Sequence, residues 1–167
     1  DLQDSTQFVA KDFALKAALL ENVSPDKTEG IIWYRKALML EQDSLEKLSY
    51  MVRLADLQNK AGNRQKEAKW RERIYLAKSN PTNLDIYKWG MALYADKDYL
   101  KADSVFAIYE EKYPDQIHGY LWRARSTALA DTSMKEGLAV PHFKKLIEVA
   151  SQDTVKNKAI LLTAYEY

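Results

Sequence analysis

Apolar residues recur at spacings of three and four along almost the whole chain, with polar residues between them. Phe13, Ala17 and Leu20 make one stripe, and Ile31, Tyr34, Ala37 and Leu38 make the next. Met51, Leu54, Ala55 and Leu57 continue the pattern, followed by Ile86, Trp89, Leu93 and Tyr94. Val105, Phe106 and Tyr109, then Phe143, Leu146, Ile147 and Ala150, complete it. A period near 3.6 residues places each set on one face of a helix, where a neighbour can bury it. Almost no segment alternates with the period of two that a half-buried strand requires.

Helix stops and starts fall between the stripes. Ser24-Pro25 reads as a cap followed by proline at the first helical position, and Asp43 with Glu46 has the spacing of a capping box. Ala61-Gly62-Asn63 reads as a stop and turn, and Asn80-Pro81-Thr82-Asn83 and Tyr113-Pro114-Asp115 as breaks. Asp131 to Gly137 is a polar loop, and Pro141 belongs in the first turn of a helix beginning near Leu138. The pattern predicts nine helices, at about 5–23, 25–41, 44–61, 64–79, 83–96, 98–112, 116–130, 138–150 and 153–167.

Helix at this density prompts a search for internal repeats. The clearest copy is 83–116: Ile86, Trp89, Gly90 and Leu93 on a first helix, then Tyr99, Ala102, Phe106, Tyr109 and Pro114 on and after a second. Gly90 and Ala102 are small where the two helices would cross, Phe106 fills the space beside them, and Pro114 stops the second helix. These residues resemble the tetratricopeptide repeat, a helix pair of ~34 residues. Three further segments match less closely. In 48–81, Met51, Leu54, Ala55 and Gly62 fit, but Glu67 and Arg71 stand where the pattern has Ala and Phe. In 117–151, Tyr120, Ala124, Ala139, Phe143 and Leu146 fit after an insertion of about three residues in the Asp131–Gly137 loop, with Arg123 in place of Leu. In 11–42, Ala14, Ala17, Ala18, Gly30, Tyr34 and Ala37 fit. The resemblance implies an all-α fold, an α-α superhelix of about four helix pairs plus a terminal helix at 153–167, as one helical-repeat domain over 1–167. The apolar residues Ala159, Ile160, Leu162, Ala164 and Tyr165 read either as the opening helix of a further repeat or as a packed terminal helix.

Composition narrows the function. Lys and Arg number 25 against 24 Asp and Glu, a balance that disfavours a dedicated nucleic-acid binder or a polybasic membrane anchor. No apolar run has the length of a membrane span, and no basic stretch followed by an apolar one opens the segment, so no signal peptide is read in it. The absence of cysteine removes disulfides and thiol chemistry and fits a cytoplasmic or a periplasmic or secreted setting equally.

No catalytic constellation emerges. His118 and His142 are the two histidines, 24 residues apart, without the convergent partners a metal needs. Asp96-Lys97-Asp98 opens like a calcium loop but continues with Leu100 and Lys101, and reads as a turn with Asp98 as N-cap. Lys60, Arg64, Lys66, Lys69, Arg71 and Arg73 form a basic run that reads as a solvated outer face laced by Glu67, with Trp70 turned inward. Neither an enzyme nor a cofactor is expected.

The resemblance implies a binding function instead. In tetratricopeptide arrays the first helices of successive repeats line a concave groove that takes peptides or helices. The matching positions here include Val52, Asp56 and Asn59, then Tyr87, Met91 and Tyr94, then Leu121 and Arg125. Tyr87, Met91 and Tyr94 form a band of adaptable apolar contacts, and Arg125 can meet a carboxylate. The Lys/Asn/Arg clamp that some members use for a terminal carboxylate is absent: Val52, Asp56 and Met91 stand at its positions. The expectation is a non-catalytic protein- or peptide-binding scaffold. The alternative is a structural spacer or an oligomerisation domain that self-associates through the terminal helix.

Overall fold

The computed structural model describes residues 8–24 and 26–167, and among these the regular elements are nine α-helices and one short 3₁₀ turn, without a strand. The chain divides between Asn80 and Pro81 into two compact units.

Unit 1 holds α1 (Ala10–Val23), α2 (Thr28–Leu40), α3 (Ser44–Lys60) and α4 (Arg64–Ala77), each packed on the next. Its core is Ala17, Ile31, Tyr34, Ala37, Tyr50, Leu54 and Leu57, with Trp70 packed partly against it. The predicted start at residue 5 and the predicted first helical position at Pro25 fall outside the described residues; Ser24, expected to cap the second helix, instead closes α1, its N–H donating to the Leu20 carbonyl at 2.9 Å. α2 begins at Thr28 rather than at 25, with the Asp26 carboxylate accepting the Thr28 N–H at 2.8 Å. Asp43 caps α3 as expected, accepting from the N–H groups of Leu45 and Glu46 at 2.9 Å each. Gly62 ends the α3–α4 turn at φ 75°, in the left-handed region that favours glycine.

The degenerate pattern of the α3–α4 pair has a structural explanation. Glu67 and Arg71 are 3% and 7% exposed, and Gln58 beside them is 4% exposed. They occupy the interior positions that Ala102, Phe106 and Leu93 fill in the clear repeat, so a polar network replaces apolar residues without a shift of register. Arg71 Nη2 donates to Asp56 Oδ1 at 2.7 Å and to Glu67 Oε1 at 3.4 Å. Glu67 Oε2 accepts from Asn59 Nδ2 at 2.7 Å and from Arg64 Nη1 at 3.0 Å. Each buried charge therefore has a partner, the condition on which a protein interior tolerates one.

Unit 2 holds α5 (Asn83–Ala95), α6 (Tyr99–Lys112), α7 (Ile117–Ala130), α8 (Val140–Ala150) and α9 (Lys158–Tyr165), again packed in succession. Thr82 and Asp85 form a reciprocal capping box at the start of α5. A Cβ on Gly90 would come within 2.5 Å of the fully buried Phe106 ring, and one on Gly119 within 2.9 Å of the Glu110 backbone. Glycine is what lets α5 and α7 lie this close to α6. At the position where repeat 83–116 would match Gly62, the α5–α6 turn instead places Lys97 at φ 66°. Asp98 sits at the N-cap of α6, but its carboxylate pairs with Lys101 and makes no cap bond. Asp131 organises the inserted loop by accepting from the N–H groups of Glu136, Gly137 and Leu138. Burial works to raise its pKa, but these bonds outweigh it and hold the carboxyl below its usual range.

The terminal helix differs from expectation. Residues 151–153 form the 3₁₀ turn and α9 starts only at Lys158. Asn157 Nδ2 donates back to the Ala150 carbonyl at 3.1 Å, and Asp153 accepts the Lys156 N–H at 2.9 Å. These local bonds favour a turn over a continued helix. α9 buries Leu161 and Ala164, and Tyr167 stacks on Phe143 with ring centroids 4.2 Å apart.

Candidate functional site

The residues singled out on unit 1 are drawn into its ionic network. Asp56, on α3, accepts the Arg71 guanidinium, and Asn59, one turn on, donates to Glu67. Val52 is half-buried on the same helix. The Asp56 and Asn59 side chains tie α3 to α4, and both also meet solvent, the Asp56 carboxylate at 41% exposure.

On unit 2 the first helices α5 and α7 meet through an aromatic cluster. Trp122 of α7 is its centre. Tyr94 and Tyr87 of α5 approach the indole edge-on, with centroids at 5.1 and 6.3 Å. Phe106 of α6 stacks on it at 6.0 Å, and the Arg125 guanidinium lies over it at 5.0 Å. His118, exposed in the first turn of α7, stands edge-on to Tyr87 at 6.1 Å, and Tyr99 stands edge-on to Tyr94 at 5.4 Å. Met91 is half-buried on α5, between the two tyrosines in the helical sequence. The network fixes the rings before any ligand arrives, which lowers the entropy lost on binding.

Beside this cluster, at the start of α5, lies a pocket of about 340 Å³ lined by Asn83, Leu84, Tyr87, Tyr109 and His118. Its polar wall is held in place: Asn83 Nδ2 donates to Gln116 Oε1 at 2.9 Å, and the Tyr109 hydroxyl donates to the same oxygen. Leu84, 54% exposed, forms the apolar lip. Burial raises the Tyr94 phenol above the ordinary tyrosine value, the Arg125 charge opposing it, so at neutral pH the ring presents a neutral hydroxyl. Among the described residues no group of three or more His, Asp and Glu side chains is placed to hold a metal.

The structure gathers Tyr87, Tyr94 and Arg125 around one ring that sequence reasoning did not name. Leu121, expected on the groove face, is 8% exposed and belongs to the core with Ala124, Phe143 and Leu146. Trp122, the next residue, is half-buried and takes the position beside Tyr87 and Tyr94. The available signal was its spacing of three from Arg125 on one helix. Arg123, where the repeat pattern has Leu, binds across to α6, to Asp103 at 2.8 Å and Glu110 at 3.2 Å.

No family model and no curated protein matches the sequence. Among solved structures, the chain is similar to the C-terminal part of a TPR repeat-containing protein from Cytophaga hutchinsonii, with a TM-score of 0.71 at 30% identity over 98% of this chain. The helix pairs form a helical-repeat array consistent with degenerate tetratricopeptide repeats. This chain spans 62% of the length of that structure's chain. Within the tetratricopeptide pattern, α5 and α7 are first helices and α6 and α8 second helices, so the Trp122 cluster joins two successive first helices. The fold is a helical-repeat scaffold, and among the described residues no helix is long and apolar enough to cross a membrane.

Proposed function

We propose that this scaffold is non-catalytic and binds a protein or an extended peptide through the first-helix face of α5 and α7, the side that the repeat resemblance makes concave. The observation that supports this reading is the Trp122 cluster. Tyr87, Met91 and Tyr94 are half-buried, with the Arg125 guanidinium over the Trp122 indole. Aromatic, methionine and arginine side chains are enriched where proteins recognise one another, and rigid rings bury area at low entropic cost. Leu84 and the adjoining pocket offer an anchor point for one apolar side chain of the ligand.

The test is selection of a random peptide library on the purified chain. Enriched peptides should bind the parent and lose at least roughly tenfold in affinity to Tyr87→Ala/Tyr94→Ala and to Arg125→Glu, as loss of interface anchors does. Circular dichroism shows whether the variants keep their helices. Enriched peptides that bind all three proteins equally would move the interface elsewhere.

A second reading, self-association through the terminal helix, is favoured by the outer face of α9, where Leu162 and Tyr165 are 56% and 68% exposed. Light scattering should then show an oligomer that Leu162→Glu/Tyr165→Glu converts to monomer. A monomeric parent chain refutes this reading.

A further inference from the structure

Unit 1 carries a concavity on its second helices, away from the residues discussed above. It is a pocket of about 390 Å³ lined mainly by α2 and α4. Four cations line it, Arg35, Lys66, Lys69 and Arg73, and no carboxylate does.

The basic run between residues 60 and 73 splits by helix face. Lys60, Arg64 and Arg71 are paired, with Glu21 at 2.7 Å, Glu67 at 3.0 Å and Asp56 at 2.7 Å. Lys66, Lys69 and Arg73 recur at three and four residues along α4, so they share one face, and Arg35 faces them from α2. Among the described residues none of these four has a carboxylate partner. The reading of this run as a solvated face laced by Glu67 therefore holds for one half of it and not for the other.

Converging like charges repel, and an anionic occupant relieves that repulsion. Between the cations the lining is mixed: Trp70, Ile31 and Ile32 supply apolar surface beside the polar Thr28, Gln58 and Asn63. Arg73 lies over the Trp70 ring at 4.7 Å, and Ile32 is 48% exposed at the rim. Inorganic phosphate would satisfy the charges and leave Trp70 and Ile32 uncovered. A nucleic-acid strand needs a longer basic track than this pocket offers, on a chain whose net charge is +1. Carboxylates flanking an apolar side chain match both features.

We infer that the α2–α4 pocket binds an acidic peptide segment of a partner protein, with one apolar side chain against Trp70 and Ile32 and carboxylates between Arg35, Lys66, Lys69 and Arg73. This site is independent of the Trp122 face.

The probe is a blocked pentapeptide of four acidic residues around a central leucine, titrated calorimetrically into the full chain. Saturable binding is expected that weakens with salt, and that falls at least roughly tenfold in Lys66→Glu/Lys69→Glu. Lys144→Glu/Lys156→Glu changes net charge equally on unit 2 and should bind as the parent does, as should Tyr87→Ala/Tyr94→Ala. If the first variant fails to fold, Lys69→Gln/Arg73→Gln replaces it with the same expectation. A peptide with glycine for the central leucine should bind several-fold more weakly. Three results overturn the proposal: no saturable binding up to about 1 mM; equal loss in both charge-reversal variants; or equal binding of the glycine peptide together with displacement by inorganic phosphate or single-stranded RNA, which would mark a plain anion site.

Discussion

Arg71→Met removes the hub of the buried network in unit 1. Glu67 would remain 3% exposed, with Arg64 and Asn59 as its partners. Breaking a buried ion pair from one side costs about 3–5 kcal/mol. The surviving Arg64 contact places the expected loss near the lower end, about 3 kcal/mol. The freed Asp56 carboxylate is 41% exposed and adds little, about 0–1 kcal/mol after solvent screening. Replacing both buried charges by apolar groups of similar volume, Glu67→Leu/Arg71→Met, should return stability to within about 1 kcal/mol of the parent or above it, since no orphaned charge is left. Urea unfolding followed by tryptophan fluorescence measures both variants, and the midpoint reports the change while the slope is constant. If the double variant is as unstable as the single one, these positions are not the interior sites that Ala102 and Phe106 fill in the neighbouring repeat. If Arg71→Met alone is within about 0.5 kcal/mol of the parent, the network contributes nothing to the fold.

Lys97→Gly should stabilise unit 2 by about 1 kcal/mol, because φ 66° strains any side chain and suits glycine, and calorimetry should show a melting point higher by several degrees. Gly90→Ala should destabilise by about 1–3 kcal/mol, since its Cβ would meet the Phe106 ring at 2.5 Å; Phe106→Leu in the same background should recover part of the loss. Burial raises the phenols of Tyr34, Tyr50, Tyr94, Tyr109 and Tyr120 above the ordinary tyrosine value of 10.0. Below that value these rings are neutral in both states. Above it the unfolded chain loses protons first, so stability should be flat from neutral pH to about 9 and then fall as pH rises, visible as a declining urea midpoint.

Helical periodicity carried most of the architecture because helix ends and buried stripes are local properties. Gly90, Ala102, Phe106 and Pro114 set the phase of the repeat, and Asp43, Gly62 and Pro141 stand where they were expected at helix ends. The α3–α4 pair was harder to read because periodicity equates burial with apolarity. Gln58, Glu67 and Arg71 are buried by virtue of partners on other turns, which a one-dimensional pattern does not contain. At the candidate site an error of one residue had the largest effect. Leu121 and Trp122 are both large and apolar, and it is the α8 residues Phe143 and Leu146, brought round by the inserted loop, that draw Leu121 inward and leave Trp122 beside Tyr94. The unpaired half of the basic run was hidden for a similar reason: Arg35, which completes it, lies on a different helix. At residues 153–157, side-chain bonds from Asp153 and Asn157 overrode an otherwise helical stretch.

Three of the four tryptophans report on separate places, since Trp122 centres the α5–α7 face while Trp70 lines the α2–α4 pocket and Trp33 lies on α2. In a chain labelled with ¹⁵N at tryptophan, a library-selected peptide should shift the indole N–H signal of Trp122, assigned by Trp122→Phe, and leave those of Trp33 and Trp70 in place. A peptide that binds while the Trp122 signal stays fixed would contradict the account.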